Sequence, residues 1–153
     1  MSGSDYTQAS VVCLALMRLG TRMAAQFDNW FADAGITQAQ FRMLLAIWQR
    51  AGREGSITPS ALAEHLFIER PTATVLIARL VERGLVVRVP SQEDRRSYGL
   101  RLTEAGGLLL QTIGPVATEK AEKTLADFTA DEQALLRSML GRLESYLREN
   151  PPE

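Results

Sequence analysis

Seven arginines, at residues 70, 79, 83, 88, 95, 96 and 101, fall between Thr58 and Leu102, against five acids: Glu64, Glu69, Glu82, Glu93 and Asp94. The whole chain has a net charge of −1, so this segment is locally basic in a slightly acidic protein. A guanidinium keeps its charge at any physiological pH and offers a fork of donors matched to phosphate oxygens. Other chemistry finds little here. His65 is the only histidine and Cys13 the only cysteine, which leaves no Ser-His-Asp set and no metal-ligand cluster. There is no phosphate-binding glycine loop. Asp131-Glu132 are adjacent carboxylates at a helix start, suited to the helix dipole rather than to acid–base work. The sequence therefore points away from an enzyme, with no catalytic residue, cofactor or metal expected.

The elements around the arginines follow from punctuation. Thr58-Pro59 combines an N-cap with proline at the first helical position. The short helix it starts carries Leu62, Ala63 and Leu66. Pro71 sits in the first turn of the next helix, where its missing N–H costs little. That helix buries Ala73, Leu76, Ile77 and Leu80 and stops at Gly84. Leu85 to Val89 and Tyr98 to Leu102 read as strands around the charged tip Ser91-Gln92-Glu93-Asp94-Arg95-Arg96-Ser97. A helix pair followed by a charged hairpin is the outline of a winged helix, which lays one helix in the DNA major groove. Double-stranded DNA is the expected partner.

The flanks read as helices. From Thr7 to Ala32 one apolar stripe is Leu14, Met17, Ala24, Phe27 and Phe31, and a second is Val12, Leu16, Leu19, Met23 and Trp30. A helix apolar on two sides must be covered on two sides. Thr37 and Gln40 form a capping-box pattern, opening a helix through Phe41, Leu44, Leu45 and Trp48 that Gly52 and Gly55 end. Thr103 caps a long helix that Gly114-Pro115 should kink. Asp127-Phe128 breaks the chain, and Thr129 to Glu132 is a second capping box before Leu136, Met139, Leu140, Leu143 and Leu147. The expected fold is mainly α with a small β-wing: a single domain over 1–153, with dimerisation helices at 7–32 and 103–149 around a winged helix-turn-helix at 37–102. A two-fold homodimer would offer two recognition helices to the half-sites of a palindromic operator.

Composition agrees with a soluble protein: 46% hydrophobic and 23% charged residues. One thiol cannot form an internal disulfide, no apolar run spans a bilayer, and residues 1–5 lack the features of a signal peptide. A cytoplasmic protein with no membrane partner is expected.

This order of elements resembles the MarR family of bacterial transcriptional regulators, from about Ser10 to Leu147. The resemblance is carried by Ile36-Thr37-Gln38-Ala39-Gln40-Phe41, Leu62-Ala63-Glu64-His65-Leu66, Arg79-Leu80-Val81-Glu82-Arg83-Gly84-Leu85-Val86, Asp94-Arg95-Arg96-Ser97 and Leu102-Thr103-Glu104-Ala105-Gly106. The wing motif followed by Leu-Thr-Glu-x-Gly is its most specific part. It implies a homodimeric winged-helix repressor or activator, often released from DNA by a small ligand or an oxidant. Arg96 matches the wing arginine that enters the minor groove, and Asp94 the carboxylate that holds it; Arg95 and Ser97 complete the wing motif. Arg70, Pro71, Thr72, Thr74 and Val75 occupy the outward face near the start of the recognition helix. Thr72 and Thr74 would bond phosphates or bases, and their methyls and Val75 would meet thymine methyls. Arg70 and Arg79 suit phosphate better than bases. Val75 departs from the family, in which that position is often polar or basic.

The resemblance also implies an effector cleft between the dimerisation helices and the DNA-binding module. Phe27, Trp30 and Trp48 would give apolar walls, with Arg22 or Arg42 as a carboxylate partner for a small aromatic ligand. Without that role, Phe27, Trp30, Phe31, Phe41 and Trp48 read as core. Cys13 falls where a peroxide-sensing subset of the family keeps its reactive cysteine. The positions of the assisting tyrosines are Met17, Phe27 and Gln38 here, so a small core residue is the reading preferred. The remaining alternative is a helical protein-interaction module, from which salt-dependent duplex binding would separate a DNA reader.

Overall fold

The computed structural model describes residues 6–90 and 97–151, apart from the side chains of Ala51, Arg53 and Glu54. The chain runs α1 (Gln8–Phe31), α2 (Gln38–Glu54), α3 (Pro59–Leu66), α4 (Arg70–Glu82), β1 (Val86–Pro90), β2 (Tyr98–Leu102), α5 (Glu104–Thr124) and α6 (Ala130–Glu149), with a 3-10 turn at Ala32–Ala34. It divides into two compact units, Met1–Gly114 and Pro115–Glu153.

Polar side chains start the helices where orphan backbone donors need partners. The Thr7 hydroxyl accepts from the Ser10 N–H at 3.2 Å, and the Thr58 hydroxyl from the Ala61 N–H at 3.2 Å. At α2 the box is reciprocal: Gln40 N–H donates to Thr37 Oγ1 at 3.2 Å, and Thr37 N–H donates to Gln40 Oε1 at 3.1 Å. Thr129 and Glu132 repeat it at α6. Pro115 lies inside α5.

The core of the first unit is built by Met43, Leu44, Ile47, Leu62, Ile77, Leu80 and Leu100, all essentially inaccessible to solvent. They come from α2, α3, α4 and β2. The strands pair antiparallel with Val86 opposite Leu102, Arg88 opposite Leu100 and Pro90 opposite Tyr98. Ile57 adds a one-residue bridge: its N–H donates to the Leu100 carbonyl at 3.2 Å and its carbonyl accepts from Leu100 N–H at 2.8 Å. Helices α2, α3 and α4 together with this two-stranded sheet make the expected winged helix.

Three expectations need correction. Trp48 is 59% exposed, not core. The buried stripe of α2 is Gln40, Met43, Leu44 and Ile47, one position round from the Phe41–Leu45–Trp48 edge. Both sets have helical spacing, so periodicity alone does not choose between them. Gly52 lies inside α2, and only Gly55, at φ 79°, ends it. Cys13 is exposed rather than core, because α1 buries only Phe31.

Candidate nucleic-acid interface

α3 and α4 are separated by Phe67, Ile68 and Glu69, a three-residue turn of the length that a helix-turn-helix uses. The turn follows from the end of α3. Ile68 N–H donates to the Ala63 carbonyl at 3.1 Å and Phe67 N–H to the Glu64 carbonyl at 3.3 Å, around Phe67 in the left-handed conformation. Arg42 holds the same corner from α2, donating from its guanidinium to the Leu66 carbonyl at 3.2 Å.

α4 then has two unlike sides. Ala73, Ile77 and Leu80 are buried, which fixes the helix against the core. Arg70, Pro71, Thr72, Thr74, Val75, Ala78 and Arg79 are exposed. The Thr74 hydroxyl donates to the Arg70 carbonyl at 2.9 Å, one turn back.

The end of α4 is tied to the strands. Leu85 N–H donates to the Leu80 carbonyl at 3.0 Å and Gly84 N–H to the Val81 carbonyl at 2.9 Å, with Gly84 at φ 69°. That pair of bonds is a Schellman cap, which needs a residue tolerant of positive φ. β1 leaves directly from it.

The pairing of two stem residues carries no signal in the sequence. Arg88 lies over the Tyr98 ring, 5.2 Å from its centroid, a cation–π contact between diagonal neighbours on one face of the hairpin. Arg88 is exposed, so its charge is held in place while remaining open to solvent. Only the strand register, Pro90 opposite Tyr98, could have revealed the pair. Ser97 is half-buried at the start of β2. Asp94, Arg95 and Arg96 lie outside the described residues.

A separate pocket of about 320 Å³ lies between α1 and α2, lined by Gly20, Met23, Ala24, Phe27, Phe31, Gln38, Phe41 and Arg42. Its wall includes an edge-on Phe27–Phe31 pair at 5.7 Å and the Phe31–Phe41 pair at 4.9 Å. Of the five candidate effector residues, Phe27 and Arg42 line it. Trp30 packs edge-on against Phe27 at 4.8 Å without being among the lining residues, nor is Arg22. Trp48 lines a different depression with Gln49, Arg50, Gly52 and His65. Among the described residues no group of three or more His, Cys, Asp or Glu side chains could hold a metal, and no helix is long and apolar enough to cross a membrane.

Residues 34–97 match the sequence model of the MarR family. The HTH-type transcriptional regulator PecS of Dickeya dadantii is 30% identical over 135 residues, spanning 88% of this chain and 81% of PecS. Among solved structures, a cysteine-to-serine mutant of MarR from E. coli complexed with operator DNA is similar at 27% identity and a TM-score of 0.73, covering 86% of this chain and 94% of that one. NadR in complex with 4-hydroxyphenylacetate is similar at 26% identity and a TM-score of 0.77, covering 94% of this chain and 97% of NadR.

Proposed function

The chain belongs to the MarR family of winged-helix, DNA-binding transcriptional regulators, and on that premise we propose that it is a homodimeric repressor, released from a palindromic operator by a small aromatic acid. The observation that carries the reading is the division of α4: a buried face locked to the core, and an outward face bounded by Arg70 and Arg79. In this reading those arginines take phosphates and set the register, Pro71, Thr72, Thr74 and Val75 meet base edges, and Asp94, Arg95, Arg96 and Ser97 work at the adjacent minor groove.

Homodimerisation is supported by what the terminal helices leave uncovered. α1 exposes Val11, Val12, Leu14, Met17, Leu19 and Met23, and α6 exposes Leu135, Met139, Leu140, Leu143 and Leu147. A helix of 20 residues that buries none of its own side chains, as α6 does, gains too little from propensity alone to stay folded in water. A second copy covering these faces supplies the missing burial and pairs two recognition helices.

For the effector, the α1–α2 pocket offers aromatic walls and Arg42 at its edge. An aromatic carboxylate would place its ring against Phe27 and Phe41 and its charge by Arg42. NadR, which binds 4-hydroxyphenylacetate, makes that compound a natural first probe. A ligand here acts only if it binds one arrangement of the recognition helices better than the other.

Fluorescence anisotropy with duplex from the gene's own upstream region, against scrambled duplex at two salt concentrations, tests the proposal. Tight, salt-dependent binding that prefers the upstream duplex and weakens with 4-hydroxyphenylacetate is expected. Absence of duplex binding by protein free of co-purified ligand would refute it. The place of Cys13, near the start of α1, gives a second reading, a peroxide-sensing regulator. Peroxide release of DNA that survives Cys13→Ser would refute that one.

A further inference from the structure

The middle of the outward face of α4 is apolar. Pro71, Thr74, Val75 and Ala78 recur at steps of three and four residues and share one side of the helix, across from buried Ala73, Ile77 and Leu80. All four are exposed, and Val75 stands 51% open to solvent. A single exposed valine is ordinary. What distinguishes this one is its place at the centre of the strip, with the polar groups Thr72, Arg79 and Glu82 at its margins. From Arg70 to Glu82 the helix contains no asparagine, glutamine or lysine, so no amide is available for the two-bond recognition of adenine. Its two arginines lie at either end, on the flanks of that face. The Thr74 hydroxyl donates to the Arg70 carbonyl at 2.9 Å, which leaves its oxygen to act towards a base as an acceptor.

The feature of the major groove that such an apolar strip reads by contact is the C5 methyl of a pyrimidine. Resting on the DNA-binding function proposed above, we infer that α4 selects its half-site by pyrimidine C5 methyls, with Val75 the specificity-determining residue. In unmodified DNA the base selected is thymine. Removing the methyl leaves every hydrogen-bonding edge of the base unchanged, so a protein that reads thymine through polar groups is indifferent to its loss. Val75 is not. Burial of one methyl corresponds to about a fourfold change in affinity, and two half-sites bring the change to about fifteenfold.

The test uses a duplex selected by the full-length protein from a randomised pool, then remade with deoxyuridine in place of every thymidine. The uracil duplex is expected to bind about fifteenfold more weakly at the same salt. Uracil also alters duplex stiffness, which would act through the wing, so Val75→Gln is measured in parallel. In that variant the thymine-to-uracil difference is expected to collapse towards unity, whereas an effect of DNA shape would persist. Equal affinity of the parent for the two duplexes, or a difference that Val75→Gln leaves intact, overturns the inference while the DNA-binding function stands. Failure to enrich any duplex overturns both. As a folding-independent check, 5-methylcytosine in place of thymine (with guanine opposite) should retain more affinity than cytosine; no difference counts against methyl reading.

Discussion

Gly106, in the first turn of α5, lies directly against the backbone carbonyl oxygen of Leu85, and a Cβ at that position would overlap it. The same oxygen accepts from Thr103 N–H at 3.1 Å, while the Thr103 hydroxyl accepts from Gly106 N–H at 3.1 Å and donates to the Gly84 carbonyl. One turn of α5 is thus stapled to the end of α4, which sets where the strands leave the recognition helix. A backbone oxygen held by its own hydrogen bond has little room to shift. Gly106→Ala is expected to destabilise by about 1–3 kcal/mol, the range for overpacking. At Gly107 a methyl would meet only open space, and Gly107→Ala is expected to stabilise by up to about 1 kcal/mol through helix propensity. Urea unfolding of the pair reads the difference; equal midpoints would sink the close-approach argument.

Arginines of the wing are expected to divide by function. Arg96→Ala should weaken duplex binding more than tenfold at moderate salt, an order-of-magnitude expectation for losing a charge-assisted groove contact. Arg88 is held over Tyr98 on the stem and suits phosphate. Arg88→Ala should weaken specific and scrambled duplexes alike and lower the salt slope by about one. Anisotropy titrations over a salt series make both measurements. A selective loss for Arg88→Ala, or unchanged affinity for Arg96→Ala, would contradict the assignment.

Assembly through α6 is open to a direct test. Truncation after Phe128 is expected to leave a monomer by sedimentation, with operator affinity lost. Because truncation could unfold the rest, Leu140→Glu with Leu143→Glu provides the second arm: both residues are exposed in the protomer, so the change costs the single chain little. A stable, DNA-competent dimer in both variants would remove α6 from the interface.

Much of this architecture is legible in the sequence because its boundaries are chemical. Thr58-Pro59, the Thr37–Gln40 box and the Thr129–Glu132 box all cap the helices they announce. β1 begins at Val86 instead of Leu85 because the Leu85 N–H completes the Schellman cap of α4, a bond to a residue five positions back that composition does not reveal. Ile57 gives no signal of its own because its bridge to Leu100 joins segments far apart in sequence. The same limit hides Arg88 and Tyr98, which meet only when the hairpin register is known. Trp48 is misjudged from sequence for a different reason. Adjacent edges of an amphipathic helix share the same spacing, and only the partner surface decides which is buried.

Phe67 holds the turn before α4 at φ 53° and ψ 45°, a conformation that costs a residue with a Cβ roughly 1–2 kcal/mol. Its side chain is 46% exposed. Phe67→Gly and Phe67→Ala lose the same ring, but only glycine relieves the backbone. The glycine variant is expected to be the more stable of the two by about 1 kcal/mol, read as the difference in urea midpoint. Reversal of that order would mean the turn is not strained.

The Glu132 carboxylate is held below its ordinary range, first by the Thr129 backbone N–H at 2.8 Å and then by the Thr129 hydroxyl at 3.0 Å. A carboxyl whose folded pKa is depressed contributes stability that is fully present above its unfolded value and is lost as pH falls through the folded one. The α6 cap is therefore complete at neutral pH and weakens only on acidification below the usual glutamate range. Glu132 is fully exposed, which keeps the effect small and sensitive to salt. A carboxyl-carbon NMR titration should place Glu132 below the same residue in the urea-unfolded chain. Thr129→Val removes the hydroxyl but keeps the backbone donor, and should move the Glu132 titration only part of the way back. A complete return would assign the effect to the hydroxyl alone, contrary to the order of the two bonds.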